Sequence, residues 1–261
     1  MEITILGKSP SWQDAGGACS GYLVEDQGFR LLLDCGNGVF GKLRARLDYL
    51  DVDAVLITHL HADHFLDLIP FAYALTYSPR QGDAPAQPVL HVPAGARDVF
   101  RRVVGAWGSE ELIEAAFRLR EYEPAETLHA GPFTLRLQSV PHYVPTCAVE
   151  VTAAGGAGRR FVFAADLAPS DALATFAAGA DLLLIEATLP EPEPEPEPEP
   201  DGRRGHLTAA EAGEHGRRAG VGRLVLTHIT DELDAGRALA EAGQAFGGPV
   251  EVAREGAVYA L

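Results

Sequence analysis

The sequence predicts an α/β protein built as a four-layer αβ/βα sandwich, two mixed β-sheets face to face with helices outside. Three observations lead there. Strand-like and helix-like segments alternate in both halves of the chain, several strand-like runs are apolar without interruption, and the chemically distinctive residues follow directly after those runs. At 261 residues and 47% hydrophobic content the chain can bury a full core, and a single domain over 1–261 is expected.

Residues 2–7 read as the first strand. A loop rich in Gly, Ser and Pro follows, then strands around Ser20–Val24 and Phe29–Asp34, joined at Asp26-Gln27-Gly28 as a hairpin because glycine accepts positive φ. Beyond Asp34-Cys35-Gly36-Asn37-Gly38 a helix ends near Leu47. Ala54-Val55-Leu56-Ile57, uniformly apolar with two β-branched residues, reads as a buried strand. Phe65 to Tyr77 looks helical and is apolar on more than one side, so the core or a partner has to cover it. A strand at 89–92, helices at 94–106 and 109–117, and strands at 118–122 and 133–140 follow. In the second half a hairpin turns around Ala153 to Gly158, strands occupy 161–165 and 223–227, helices 208–219 and 233–246, and strands 249–253 and 257–260 close the chain.

The densest chemistry lies in His59-Leu60-His61-Ala62-Asp63-His64, in the loop at the carboxyl end of the strand 54–57. Neutral imidazoles with a carboxylate suit zinc or a similar divalent ion, and the spacing H-x-H-x-D-H lets one tight loop aim donors at two adjacent ions. His142, Asp166 and His228 each follow a strand and complete a set of seven with the first four. Asp34 is either a carboxylate that orients one of these histidines or a plain strand-end turn residue. Thr208 and Glu211 have the form of a capping box, so His206 just ahead of them is either a helix-start histidine or a functional one. Arg101-Arg102 reads as an exposed helix face. His91, His129 and His215 receive no role.

The net charge of -16, from 21 basic and 37 acidic residues, disfavours a protein that grips a long polyanion through its own field. Five of those acids lie in the Glu-Pro repeat from Glu191 to Pro200. Cys19, Cys35 and Cys147 are too few, in too large a chain, for a disulfide framework, and free buried thiols are expected. Met1-Glu2 leads straight into a strand with no export signal, and no apolar run is long enough to span a bilayer, so a cytoplasmic, soluble protein is expected.

The motifs together resemble the metallo-β-lactamase superfamily, and more narrowly its ribonuclease Z-like phosphodiesterase branch. The likeness runs through Leu33-Asp34-Cys35-Gly36, Thr58 to His64, Val140-Pro141-His142, Ala165-Asp166 and Leu226-Thr227-His228. Glu186-Ala187-Thr188 and His206-Leu207-Thr208 are what narrow it to that branch. The resemblance implies one metal held by His59, His61 and His142, a second by Asp63, His64 and His228, and Asp166 between them, with zinc the first choice of ion and manganese the second. It implies that a hydroxide bridging the ions attacks a phosphoryl group and that Asp63 accepts a proton. His206 then touches the phosphate or protonates the leaving oxygen, and Glu186 orients His206. A homodimer is expected from the resemblance and from the apolar segment 65–77.

Transfer RNA processing enzymes of that branch carry a long arm between the residues matching His142 and Asp166, and here the interval holds only a hairpin. The first loop, Lys8 to Asp14, lacks their basic pattern. Both departures favour a small phosphodiester, a 3',5'-cyclic nucleotide first, as in the compact cyclic nucleotide phosphodiesterases this layout resembles. Ribonuclease Z-like cleavage of tRNA 3' ends and non-catalytic metal binding are the alternatives. The insertion at 190–200 is expected to be extended and polyproline-like, either a tolerated surface segment or an acidic lid.

Overall fold

The apolar runs become strands whose two faces serve different layers. In Ala54–Leu56 the side chains of Ala54 and Leu56 enter one apolar cluster, and Val55 with the following Ile57 enters another, which is why the run shows no polar alternation. The computed structural model describes residues 1–80, 85–154, 158–193 and 204–261. Among these, one sheet is built from β1 (Glu2–Gly7), β2 (Gly21–Asp26), β3 (Phe29–Leu33), β4 (Ala54–Leu56), β5 (Val89–Pro93) and β6 (Arg118–Tyr122). The other contains β7 (Thr127–Ala130), β8 (Phe133–Val140), β9 (Thr146–Ala153), β10 (Arg160–Phe163), β11 (Leu182–Glu186), β12 (Leu224–Thr227) and β13 (Val250–Val252). β14 (Val258–Ala260) returns to the first sheet beside β1, and each sheet then has seven strands.

Both sheets are mixed. β3 to β6 run parallel, as do β10 to β13, while the remaining pairs, including β1 with β14 from the far end of the chain, are antiparallel. Parallel neighbours need crossovers, and helices supply them. α1 (Val39–Arg46), α2 (Ala62–Phe65), α3 (Leu68–Tyr77), α4 (Ala96–Gly105) and α5 (Leu112–Ala116) serve the first sheet, and α6 (Asp171–Phe176), α7 (Ala209–Ala219) and α8 (Ala235–Phe246) the second. Three apolar clusters separate four layers, one under the first set of helices, one between the sheets and one under the second set. The αβ/βα sandwich is therefore as predicted. All three cysteines are buried free thiols, and no helix among the described residues is long and apolar enough to cross a membrane.

Local differences have local causes. The helix expected over Phe65–Tyr77 is two helices, and the first starts inside the ligand motif, so Asp63 and His64 sit on a helical turn rather than in a loop. The break is tied down at Asp67, whose N–H reaches the Cys35 carbonyl at 3.0 Å and whose carboxylate takes the Phe40 N–H at 2.9 Å. On α3, Leu68, Phe71, Ala72 and Leu75 are covered by the chain's own core. The strands expected to run to Asp34 and Ala165 end one and two residues earlier, because both residues turn into the left-handed region at φ 57°. β7, short and partly polar, was not expected. Most of the Glu-Pro repeat, 194–200, and the hairpin residues 155–157 lie outside the described residues.

Phe71 is fully buried, stacked on Phe40 at 4.9 Å and edge-on to Tyr49 and Phe117. Phe71→Ala leaves a cavity among these rings and is expected to lower unfolding free energy by about 3–5 kcal/mol in urea titrations. A loss below about 1 kcal/mol contradicts this packing.

Candidate metal centre

The parallel strands bring their carboxyl ends to one edge of the sandwich, and the loops that leave those ends carry the chemistry. Asp34 follows β3, the His59 motif follows β4, His142 follows β8, Asp166 follows β10, Glu186 ends β11 and His228 follows β12. One group comprises His59, His61, His142 and Asp166; a second comprises Asp63, His64, Asp166 and His228; within each, the ligand atoms lie within 4.8 Å of one another. Asp166 belongs to both. Its Oδ2 is 3.3 Å from Nε2 of His64 and of His228, and 3.8 and 3.9 Å from Nε2 of His59 and His142. All seven sequence candidates are thus brought together, and only His61 among them is more than slightly exposed.

The imidazole tautomers follow from what each Nδ1 meets. His64 Nδ1 donates to Asp34 Oδ2 at 2.7 Å and His142 Nδ1 donates to the Gly205 carbonyl at 2.7 Å. Two threonines extend this pattern. Thr58 Oγ1 donates to Asp34 at 2.9 Å and so accepts from His59 Nδ1 at 3.1 Å, while Thr188 Oγ1 donates to Glu186 and accepts from His228 Nδ1 at 2.8 Å. Each of these four rings therefore turns its Nε2 inward, which is how a carboxylate or hydroxyl outside a site positions a ligand. Asp34 is the orienting carboxylate, with the Thr58 N–H as a further partner at 2.8 Å. Thr188 was not among the sequence candidates, although Glu186-Ala187-Thr188 helped narrow the resemblance; its role lies in the hydroxyl that stands between Glu186 and His228.

The donor set fits divalent ions on three grounds. His61 Nδ1 lies 3.2 Å from His59 Nε2 and 3.0 Å from His142 Nε2, three nitrogens that face one another with at most one shared proton among them. His64 Nε2 is buried with no hydrogen-bond partner among the described residues, 3.3 Å from Asp166 Oδ2. Burial holds His59 and His61 below the ordinary imidazole range and His142 at about 4, so these rings stay neutral, the form that binds metal. Burial also opposes charge on Asp63, but the His228 hydrogen bond and the charge on His64 outweigh it and bring the carboxyl to about 2. On His64 burial disfavours a proton, yet Asp166 and Asp34 retain one, so the two carboxylates demand positive charge here and a cation answers that demand.

A third group adjoins the second. Glu186, fully buried, meets His206 Nδ1 at 3.0 and 3.1 Å and also takes the N–H groups of Leu167 at 2.7 Å and Leu207 at 3.2 Å. Burial pulls the His206 ring down, but Glu186 pulls it up more strongly, to about 9. The capping box of Thr208 and Glu211 is present as well, so His206 precedes a capped helix and faces Glu186 at once. The ring stacks on His228 with centroids 5.5 Å apart.

Close approach shapes the site too. A Cβ on Gly36 would sit 1.8 Å from the Asp63 carbonyl, so only glycine lets the strand-end loop lie against the ligand helix. Of the five non-glycine residues with positive φ among the described residues, Asp34, Ala165 and His228 (φ 57°, 57° and 52°) border or belong to the centre.

Thr188→Val keeps the shape and removes the hydroxyl that orients His228. Metal affinity is expected to fall about 10–100-fold in chelator competition, the usual cost of deleting an orienting partner. Unchanged affinity would remove Thr188 from this role.

Residues 29–229 match the family model for the beta-lactamase superfamily domain. The chain is 28% identical to the probable metallo-hydrolase YhfI of Bacillus subtilis over 260 residues, 99% of each chain. The crystal structure of YhfI superposes with a TM-score of 0.83 over 99% of both chains. A ribonuclease Z of a Bradyrhizobium species is 29% identical over 94% of this chain and 95% of its own. Unliganded yeast PDE1, at 13% identity and 98% coverage of each chain, shares the fold with a TM-score of 0.74. With a family match across most of its length and a full complement of clustered His and Asp side chains, the chain belongs to the beta-lactamase superfamily and has its metallo-hydrolase fold.

Proposed function

We propose that the protein hydrolyses a small phosphodiester, a 3',5'-cyclic nucleotide first, with two divalent ions, zinc before manganese. His59, His61 and His142 would hold one ion, Asp63, His64 and His228 the other, and Asp166 both. Bound there, such a pair supplies a water made acidic near neutral pH and positive charge for phosphoryl oxygens. Asp63, ionised at neutral pH, accepts the proton of the attacking water. His206, protonated against Glu186 through Nδ1, keeps Nε2 for the phosphate or the leaving oxygen. One water is consumed; its oxygen joins phosphorus, the ester P–O bond breaks, and the leaving oxygen takes a proton from His206.

The observation that carries the choice of substrate is the short span from His142 to Asp166. It holds β9 and β10, paired antiparallel from Arg160 opposite Thr152 to Phe163 opposite Val149, and only residues 154–159 join them. The net charge of -16 also works against a long polyanion. The likeness to a ribonuclease Z makes precursor tRNA the competing substrate. The homodimer belongs to this reading as well, since Tyr77 and Trp107, 71% and 49% exposed, leave aromatic surface beside α3; sedimentation is expected to give a dimer.

Purified, metal-loaded protein is expected to hydrolyse cyclic AMP or cyclic GMP and bis-p-nitrophenyl phosphate and to leave precursor tRNA intact. Cleavage of tRNA with steep salt dependence, and none of cyclic nucleotides, reverses the assignment. Asp63→Ala and His228→Ala are expected to abolish diester turnover, and near-normal rates in either contradict the site. His206→Ala is expected to lower kcat by about 10²–10⁴ with metal content retained, the range for loss of a general acid. Loss of bound metal instead would make His206 a ligand.

A further inference from the structure

The Glu-Pro repeat enters no step of the proposed reaction, yet its first residues are tied to the body of the protein. Leu189, just ahead of it, gives its N–H to the Leu207 carbonyl at 3.0 Å. Arg237 of α8 reaches the Glu191 carboxylate at 2.6 Å and the Pro190 carbonyl at 3.4 Å. Both members of that ion pair are exposed, so it contributes little. Glu193 is different. It is half-buried, and its carboxylate lies among residues that adjoin the candidate centre.

One oxygen of Glu193 takes the Tyr143 hydroxyl, and the other takes the N–H of Gly205 at 2.7 Å and, at 3.4 Å, that of His206. Burial works against the charge, but these three donors outweigh it and hold the carboxyl below its ordinary range. The peptide group between Gly205 and His206 is thereby fixed at both ends. Its N–H goes to Glu193, and its carbonyl, that of Gly205, accepts His142 Nδ1 at 2.7 Å. Because a peptide group is planar, turning it disturbs both bonds at once. Glu193 thus acts on His142 through a single peptide group. The same contacts seat Tyr143, whose ring stands 5.0 Å from His142 between centroids and lies so close to Gly205 that a Cβ there would collide with it.

We propose that Glu193 is a positioning residue of the metal centre: by holding the Gly205–His206 peptide and the Tyr143 hydroxyl, its carboxylate fixes the ring of His142 in the orientation that binds metal. This rests on the reading of His142 as a metal ligand. The start of the repeat then supports the site and is not merely a tolerated insertion.

The test measures the zinc affinity of the full chain by chelator competition and needs no substrate. Glu193→Ala is expected to weaken binding about tenfold, the lower end of the cost of deleting a partner that orients a ligand, because Glu193 acts one group further out. Glu193→Gln keeps an oxygen for the two N–H groups and is expected to recover most of the loss. Glu191→Ala removes only the exposed pair with Arg237 and is expected to leave the affinity unchanged. In NMR spectra of the metal-free protein, the His142 Nδ1 proton is expected to shift in Glu193→Ala and to stay in place in Glu191→Ala. Zinc binding that Glu193→Ala leaves unchanged, an equal loss in Glu191→Ala, no recovery in Glu193→Gln or an unmoved His142 proton overturns the proposal alone. Failure of the unmutated protein to bind zinc or manganese overturns the reading of the centre and the proposal with it.

Discussion

Two fully buried carboxylates govern the candidate centre, Asp34 at the end of β3 in one sheet and Glu186 at the end of β11 in the other. Each grips one histidine directly and a second through a threonine hydroxyl: Asp34 holds His64 and, by way of Thr58, His59; Glu186 holds His206 and, by way of Thr188, His228. Burying a charge is costly unless it is hydrogen-bonded, and both acids are saturated with donors. The two sheets thus contribute equivalent devices to one edge. The orientations of four rings depend on two side chains that lie outside both groups sharing Asp166.

The rest of the architecture can be understood as what keeps these devices in register. Parallel pairing of β3 with β4 and of β10, β11 and β12 places successive loops side by side, and the inter-sheet cluster locks the halves together. Tyr22, buried between the sheets on β2, donates to or accepts from Thr227 at 2.8 Å, next to His228. Helix capping, the left-handed glycines after α7 and α8 and the glycine beside Asp63 remove local conflicts between chain and packing.

Much of this was legible in the sequence. The sandwich could be read because doubly buried strands leave uninterrupted apolar runs, and the His59 motif because three histidines and an aspartate within six positions need a cause. His142, Asp166 and His228 are weak signals singly; only the family resemblance tied them to the motif. Asp34 and Glu186 were visible as strand-end acids, and the resemblance paired Glu186 with His206, but that Asp34 holds His64 was not visible, because a hydrogen bond across 30 residues leaves no periodicity. Thr188 was visible only as part of its motif, with no role, because its link to His228 spans 40 residues. The start of α2 inside the motif was hidden because His61 is extended and caps the helix without a side-chain bond.

The left-handed turns at Asp34, Ala165 and His228 bear on where the candidate donors sit. Each is a conformation that costs an L-residue roughly 1–2 kcal/mol, and the flanking strands hold it in place. The positions of the clustered donor atoms are then set by the mainchain at the strand tips as much as by the side chains that carry them.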